Sequence, residues 1–308
     1  MAEKMATRQA YGEALVDLGR KNANVVVLDA DLSKSTMTAN FAKEFPKRFF
    51  NMGIAEQDMY GAAAGLAVSG KTVFASTFAM FAAGRAYEII RNSIGYTRAN
   101  VKICATHAGL TVGEDGASHQ AIEDIALMRV IPGMTVINPA DGASAKKLIA
   151  DAASFNGPVY VRLGRASVPT IYEDTRDIRI GKGVCVRDGK DYTVIATGIM
   201  VNEALMAADM LQEEGISLRV VDMHTIKPLD EDIIVKAAKE TRGIITAEEH
   251  SVIGGLGSAV AEVVVQKAMA KMKIVGVEDC FGESGKPGEL MEKYGLTAKH
   301  ICEAVKNL

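Results

Sequence analysis

Glu56 stands in the run Asn51-Met52-Gly53-Ile54-Ala55-Glu56-Gln57-Asp58-Met59, at the mouth of an apolar, small-residue helix reaching Val68. A carboxylate there is poorly solvated, and desolvation disfavours its charged form and raises its pKa. Such a group can hold or share a proton near neutral pH, as an acid/base catalyst must. The plainer alternative is a helix-start acid that complements the helix dipole. The densest polar cluster is Thr106-His107-Ala108-Gly109-Leu110-Thr111-Val112-Gly113-Glu114-Asp115-Gly116-Ala117-Ser118-His119-Gln120. It carries two of the five histidines, two acids and three glycines, directly after an apolar run that ends at Ala105. In open α/β sheets ligands bind outside the carboxyl ends of strands, so this loop is a candidate site. Otherwise it is a surface glycine loop with incidental histidines. Metal binding fits less well, because the histidines are twelve residues apart and Glu114 and Asp115 are adjacent, which is no recognised ligand spacing. Phe78 and Phe81, three apart after another apolar run, make either a core stripe or a floor for a flat heterocycle. Gly254-Gly255-Leu256-Gly257-Ser258 opens a helix but lacks both GKS/T and an acid at dinucleotide-binding spacing, so it reads as a tight turn.

The elements that must position these groups alternate. Helix 7–20 precedes strand 25–28, and the helix from Glu56 precedes strand 72–75. Helix 79–93 precedes strand 101–104, helix 120–130 precedes 134–137, and helix 142–153 precedes 159–162. Continuous apolar strands between amphipathic helices predict an α/β protein with parallel sheets covered on both faces. The charged run Asp174-Thr175-Arg176-Asp177-Ile178-Arg179 breaks the pattern. Turn signals at 181–183 and 188–190 then predict a short hairpin. Alternation resumes with strands 192–196, 218–222, 243–247 and 273–277 and helices 200–213, 230–239, 256–267 and 299–307. The expectation is two domains, 1–180 and a smaller 181–308.

The chain has 308 residues, enough for two domains of roughly 150 each. Net charge is −3 with acids and bases interspersed, so nothing points to nucleic acid or to a disordered acidic tail. Cys104, Cys185, Cys280 and Cys302 are isolated and form no CxxC pair, which fits reduced thiols in a cytoplasmic protein. The polar start Met1-Ala2-Glu3-Lys4-Met5 predicts no signal peptide, and no apolar run of 18 residues predicts a membrane span.

Taken in order, five features resemble the C-terminal half of transketolase. They are the Glu56 motif, Thr77-Phe78-x-x-Phe81, Val112-Gly113-Glu114-Asp115-Gly116-x-x-His119-Gln120, Pro139-Ala140-Asp141, and Arg165 after a strand. The resemblance spans essentially the whole chain and is nearest to the stand-alone C-terminal subunit of split transketolases. It implies a pyrimidine-binding domain, a small C-terminal domain, and chemistry on thiamine diphosphate. Glu56 would hydrogen-bond N1′ of the aminopyrimidine, favouring the imino tautomer that removes the thiazolium C2 proton. Phe78 and Phe81 would pack around that ring, with Asp31 and Ile54 also beside the cofactor and Asp31 near the chain–chain interface. His119 would stand beside the reacting centre, and Asp115 would recognise the hydroxyl next to the ketose carbonyl. Arg8, Ser35, His107 and Arg165 would grip the substrate phosphate, a task that suits the planar arginine fork.

Two departures touch the pocket: Ala108 follows His107 where full-length enzymes usually carry Asp, and Gly84 replaces a tyrosine. A larger one concerns assembly, since the family's GDG motif and downstream Asn, which hold the diphosphate and its ion, are missing. The resemblance therefore implies no metal ligands in this chain. Mg²⁺ or Ca²⁺ would be held mainly by an N-terminal partner subunit, in a two-fold assembly with two copies of each chain. The expected substrates are sugar phosphates, in the pentose phosphate route or a specialised sugar pathway. The competing readings are the beta subunit of a 2-oxo-acid dehydrogenase, which would lack the GEDGxxHQ loop, deoxyxylulose-phosphate synthase, normally one long chain, and a non-catalytic subunit, which would have lost Glu56 or His119.

Overall fold

Two large sheets covered by helices, with a small two-stranded sheet beside them, order the chain, and the computed structural model describes residues 4–308. Met1, Ala2 and Glu3, part of the polar start read above, lie outside the described residues. The larger sheet has seven strands in the order Thr225–Lys227, Thr135–Ile137, Val159–Arg162, Val101–Thr106, Thr72–Phe78, Val25–Asp29, Phe49–Asn51. Its central strands Val25–Asp29, Thr72–Phe78 and Val101–Thr106 are buried at every residue, as strands under helices on both faces must be, and they carry buried polar members such as Asp29, Ser76 and Lys102 among mainly apolar ones. Helix Thr7–Lys21 covers one face through Ala10, Tyr11, Ala14 and Leu15. Helix Glu56–Val68 covers the sheet with Met59, Tyr60, Ala63 and Ala64. The five-stranded sheet runs Met272–Val277, Ile244–Ser251, Tyr192–Ala196, Leu218–Asp222, Val184–Arg187.

The α/β architecture with parallel sheets is as the alternation predicts, and its exceptions lie at edges. Val184–Arg187 and Thr225–Lys227 run antiparallel to their neighbours. The expected hairpin across 188–190 is not formed. Val184–Arg187 skips Tyr192–Ala196 and pairs instead with Leu218–Asp222, because Tyr192–Ala196 is already flanked on both sides by parallel partners. Thr225–Lys227 leaves its own unit and extends the first sheet beside Thr135–Ile137, which ties the two units together. Helix 79–93 is also not a regular helix. It is π-helical at Phe81–Arg85 and Ile90–Tyr96, with a short α turn at Tyr87–Ile89 between them. Helix 120–130 shrinks to Asp124–Arg129, since the Gln120 amide is held in the preceding loop, where it donates to Leu110 and Gly113 carbonyls.

Two local devices bring the ends of the site together. Lys4–Ala6 pairs antiparallel with Ser167–Pro169, and the Gly164 N–H donates to Thr7 Oγ1 at 2.8 Å, so Arg8 and Arg165 are drawn to one corner. Asp141 caps helix Gly142–Ser154 by accepting from Ser144 N at 2.8 Å, while its other oxygen accepts from Ile171 N and Tyr172 N. The Pro-Ala-Asp motif is thus a structural joint.

Candidate active site

Apart from Arg8, which lies in the first turn of helix Thr7–Lys21, the candidate residues sit at the carboxyl edge of the larger sheet, where each follows or ends a parallel strand. Asp31 and Ser35 follow Val25–Asp29, and Glu56 follows Phe49–Asn51. Phe78 ends its strand, His107 begins the loop after Val101–Thr106, and Arg165 follows Val159–Arg162.

Glu56 opens helix Glu56–Val68 and is 2% exposed, so the desolvation expected from its position is present. The sequence reading missed its partner. Arg85 Nη1 donates to both Glu56 carboxyl oxygens, at 2.8 and 2.9 Å. The same guanidinium lies 4.6 Å from the Phe81 ring centroid, a cation–π contact. Phe81 stacks on Phe78 at 5.8 Å with 17° between planes, and Phe78 stacks on His107 at 3.9 Å. His119 meets Phe81 edge-on at 5.3 Å. Carboxylate, guanidinium and rings therefore form one continuous wall. Its flat apolar face and buried acid fit an aminopyrimidine, which needs a ring surface and a carboxyl partner. A cation four residues beyond the second aromatic was the available signal for Arg85.

A basic corner lies at the His107 end of this wall. Arg8 Nη1 donates to the Ser35 carbonyl at 2.7 Å, while Arg8 Nε is buried and has no hydrogen-bond partner among the described residues. His107 Nδ1 lies 2.9 Å from Thr106 Oγ1, and its backbone is held at φ 56°, an uncommon conformation for a non-glycine residue. Burial, then the charges of Arg8, Arg165 and His119, hold the His107 imidazole down to about 3, so the ring is neutral at physiological pH. Arg165 Nη1 donates to the Val112 carbonyl at 2.6 Å and lies 3.5 Å from Asp115, with Glu114 at 4.0 Å. These half-exposed acids contribute little as ion pairs. Two guanidiniums and a histidine around an unpartnered buried N–H suit a terminal anion.

Asp31 and Ile54 sit at the rim. Asp31, at φ 64°, accepts from Asn51 Nδ2 at 2.9 Å, and Ile54 is 78% exposed. Beneath them Asp29 accepts from Leu32 N, Thr36 Oγ1 and Thr38 Oγ1 at 2.6, 2.6 and 2.8 Å, which fixes the turn that presents Asp31 and Ser35. The sequence reading passed over Asp29, although an acid closing an apolar strand before a Ser/Thr cluster was a usable signal. Among the described residues no group of three or more His, Cys, Asp or Glu side chains is placed to hold a metal ion. A cavity of about 660 Å³ lies along Met272–Val277, lined by Lys273, Phe281 and His300, and shares no residue with the ring wall or the basic corner. The candidate site is instead an open edge.

Residues 3–170 match the family described as Transketolase, pyrimidine binding domain, and residues 181–301 match Transketolase, C-terminal domain. A Methanocaldococcus jannaschii protein, provisionally named a transketolase C-terminal section, is 56% identical over 97% of this chain and 94% of its own. A 6-deoxy-6-sulfo-D-fructose transketolase subunit of a Clostridium species is 41% identical over 96% of this chain and 92% of its own. Among solved structures, a split-gene transketolase described as an inactive β4 tetramer superposes with a TM-score of 0.93. It is 58% identical, with 98% of each chain covered.

Proposed function

Because this chain belongs to the transketolase family, we propose that it is the C-terminal subunit of a two-chain transketolase that uses thiamine diphosphate and moves a two-carbon ketol unit from a ketose phosphate to an aldose phosphate. The observation that carries this reading is the buried Glu56 carboxylate beside the Phe78–Phe81 stack, one ring away from the Arg8–His107–Arg165 corner. Bound thiamine diphosphate supplies the electron sink for cleaving and forming the bond next to the ketose carbonyl. Glu56 holds the aminopyrimidine N1′ and the proton shared there, and Arg85 gives up part of its grip on the carboxylate in exchange. Phe78 and Phe81 hold the ring face, and Asp31 and Ile54 border it.

His119, edge-on to Phe81, stands beside the reacting carbonyl, and Asp115 takes a hydroxyl next to it. Arg8, Ser35, His107 and Arg165 hold the far phosphate. A neutral His107 donates one hydrogen bond there and leaves the charge to the arginines. The sulfo-sugar named for the Clostridium relative is consistent with a corner that reads a terminal anion.

The diphosphate and its Mg²⁺ fall to an N-terminal partner subunit, two copies of each chain closing a two-fold assembly. The inactive β4 state of the solved relative supports the need for that second chain. The test mixes this chain with its candidate partner, thiamine diphosphate and Mg²⁺. It compares ketol transfer between sugar phosphates with oxidation of pyruvate by an electron acceptor. Transfer is expected only with both chains present. Pyruvate oxidation, or transfer by this chain alone, overturns the proposal.

A further inference from the structure

We propose that Glu249, in the second unit, is a positioning residue that sets loop 107–120 from beneath. This rests on the reading above only for what that loop does. Glu249 lies in strand Ile244–Ser251 and is 5% exposed. Its Oε1 accepts the Thr111 backbone N–H at 2.6 Å. Gly109, at φ +82°, lies directly on the same carboxyl group, since a Cβ there would fall 2.3–2.5 Å from the Glu249 carboxyl atoms. The turn that follows His107 is therefore seated on one side chain supplied by the other unit.

The contact leads directly to the basic corner. The residue after Thr111 is Val112, whose carbonyl accepts from Arg165 Nη1 at 2.6 Å. A shift of Thr111 displaces the carbonyl that aims Arg165, and a shift of Gly109 displaces the strained backbone of His107 two residues before it. Glu249 is itself fixed from behind. Arg162 Nη2 donates to the Glu249 carbonyl at 3.0 Å and to the Ala121 carbonyl at 3.1 Å, and Arg162 Nε donates to Asp124. One buried guanidinium thus registers the strand against the far end of the loop.

A second clamp acts there. Gln120 Nε2 donates to Leu110 and Gly113 carbonyls within the loop, at 3.3 and 3.2 Å, and to the Glu283 carbonyl of the second unit at 2.9 Å. Among the described residues the Glu249 carboxyl bonds the Thr111 N–H rather than any member of the ring wall, so its effect on chemistry passes through the loop.

The test uses the full chain and three substitutions. Glu249→Ala removes the acceptor. Glu249→Asp keeps the charge near Arg162 but draws the carboxyl back from Thr111. Glu249→Gln keeps an oxygen at the same reach. Amide hydrogen exchange on the chain alone should rise about tenfold or more at Thr111, Val112 and Gly113 in the Ala and Asp variants, with strands Val25–Asp29 and Thr72–Phe78 unchanged. The Gln variant should exchange as the parent does. In the assembled enzyme the Ala and Asp variants should raise KM for a phosphorylated ketose about tenfold and lower kcat less, with cofactor affinity unchanged. Exchange in 109–113 that stays at the parent level, or that rises no more than exchange in strands Val25–Asp29 and Thr72–Phe78, overturns the proposal. So does a Gln variant as loose as the Asp variant. If the Ala variant fails to fold, the Asp and Gln pair decides. An assembled parent without ketol transfer sinks the functional reading, while the exchange result still judges Glu249.

Discussion

Glu56 is held by a cation on one side and backed by apolar side chains on the other, so its reactivity depends on what replaces Arg85 as partner. Glu56→Gln preserves size and one acceptor oxygen but cannot exchange a proton. The expected outcome is a folded, assembled protein whose turnover falls roughly 10²–10⁴-fold, the usual cost of losing general acid/base catalysis. Full turnover in this variant with cofactor bound would falsify the central role given to Glu56. At the other end of the wall, His107→Ala and Arg165→Ala should raise KM for phosphorylated substrates more than they lower kcat, because they remove binding common to ground and transition states. Ketoses without phosphate should be nearly unaffected. Steady-state kinetics on both substrate types decides, and equal losses on the two would show that these side chains do not read the anion.

Among elements, the turn after strand Val25–Asp29 illustrates how a buried acid serves a site without entering it. Asp29 accepts three hydrogen bonds from Leu32, Thr36 and Thr38, and Ser35 in the same turn accepts from Arg8. Asp29→Ala leaves the Leu32 N–H and two hydroxyls without their acceptor, at a cost of about 1–3 kcal/mol. Urea denaturation should show that loss, and kinetics should show a raised KM for phosphorylated substrates as Arg8 loses its support. An unchanged midpoint would mean the three donors find other partners. The π-helical segment Phe81–Arg85 has a comparable role, because it carries Arg85 over the Phe81 ring and onto Glu56. Such widened turns are rare and concentrate at functional sites.

For the whole molecule, the proposed function predicts that the chain alone binds thiamine diphosphate weakly or not at all. Ring stacking and one carboxyl hydrogen bond supply about 1–3 kcal/mol each, which barely offsets the entropy of association. Calorimetry on the isolated chain checks this, and micromolar Mg²⁺-dependent binding would contradict it. Protonation adds a second test. Burial holds His107 down to about 3, and His224 and His250 down to about 4, from a usual 6.5. The folded chain binds these protons more weakly than the unfolded one. Their contribution to stability is therefore complete above pH 6.5 and is lost as pH falls through about 4 and then 3. Burial pushes Asp222 and Glu248 up to about 7, so they act in the opposite sense: their contribution is present at low pH and lost as pH rises through about 7. The ring resonances of the three histidines should stay fixed from about pH 8 to about pH 5. A midpoint near 6.5 in any of them would show that its ring is not buried.

The sequence by itself determined the α/β class, most of the strands, and a contiguous loop with His107, Asp115 and His119. These are local properties: strand and helix periodicity, and chemistry gathered within fifteen residues after one strand. It also placed Glu56 at the start of its helix, ahead of a run of small apolar residues of which Ala63 and Ala64 are buried while Gly61, Gly65 and Val68 are exposed. Only the tertiary structure paired Glu56 with Arg85, 29 residues on, and Thr111 with Glu249, 138 residues on. Neither pairing has a local pattern, since each depends on how separate strands lie side by side. The same reason hid Thr225–Lys227, whose partner strand belongs to the other sheet, and the missing hairpin, whose strand found its neighbour one place further over. Periodicity fixes which face of an element is buried. Which element covers that face is settled by strand order, and strand order is a property of the folded chain.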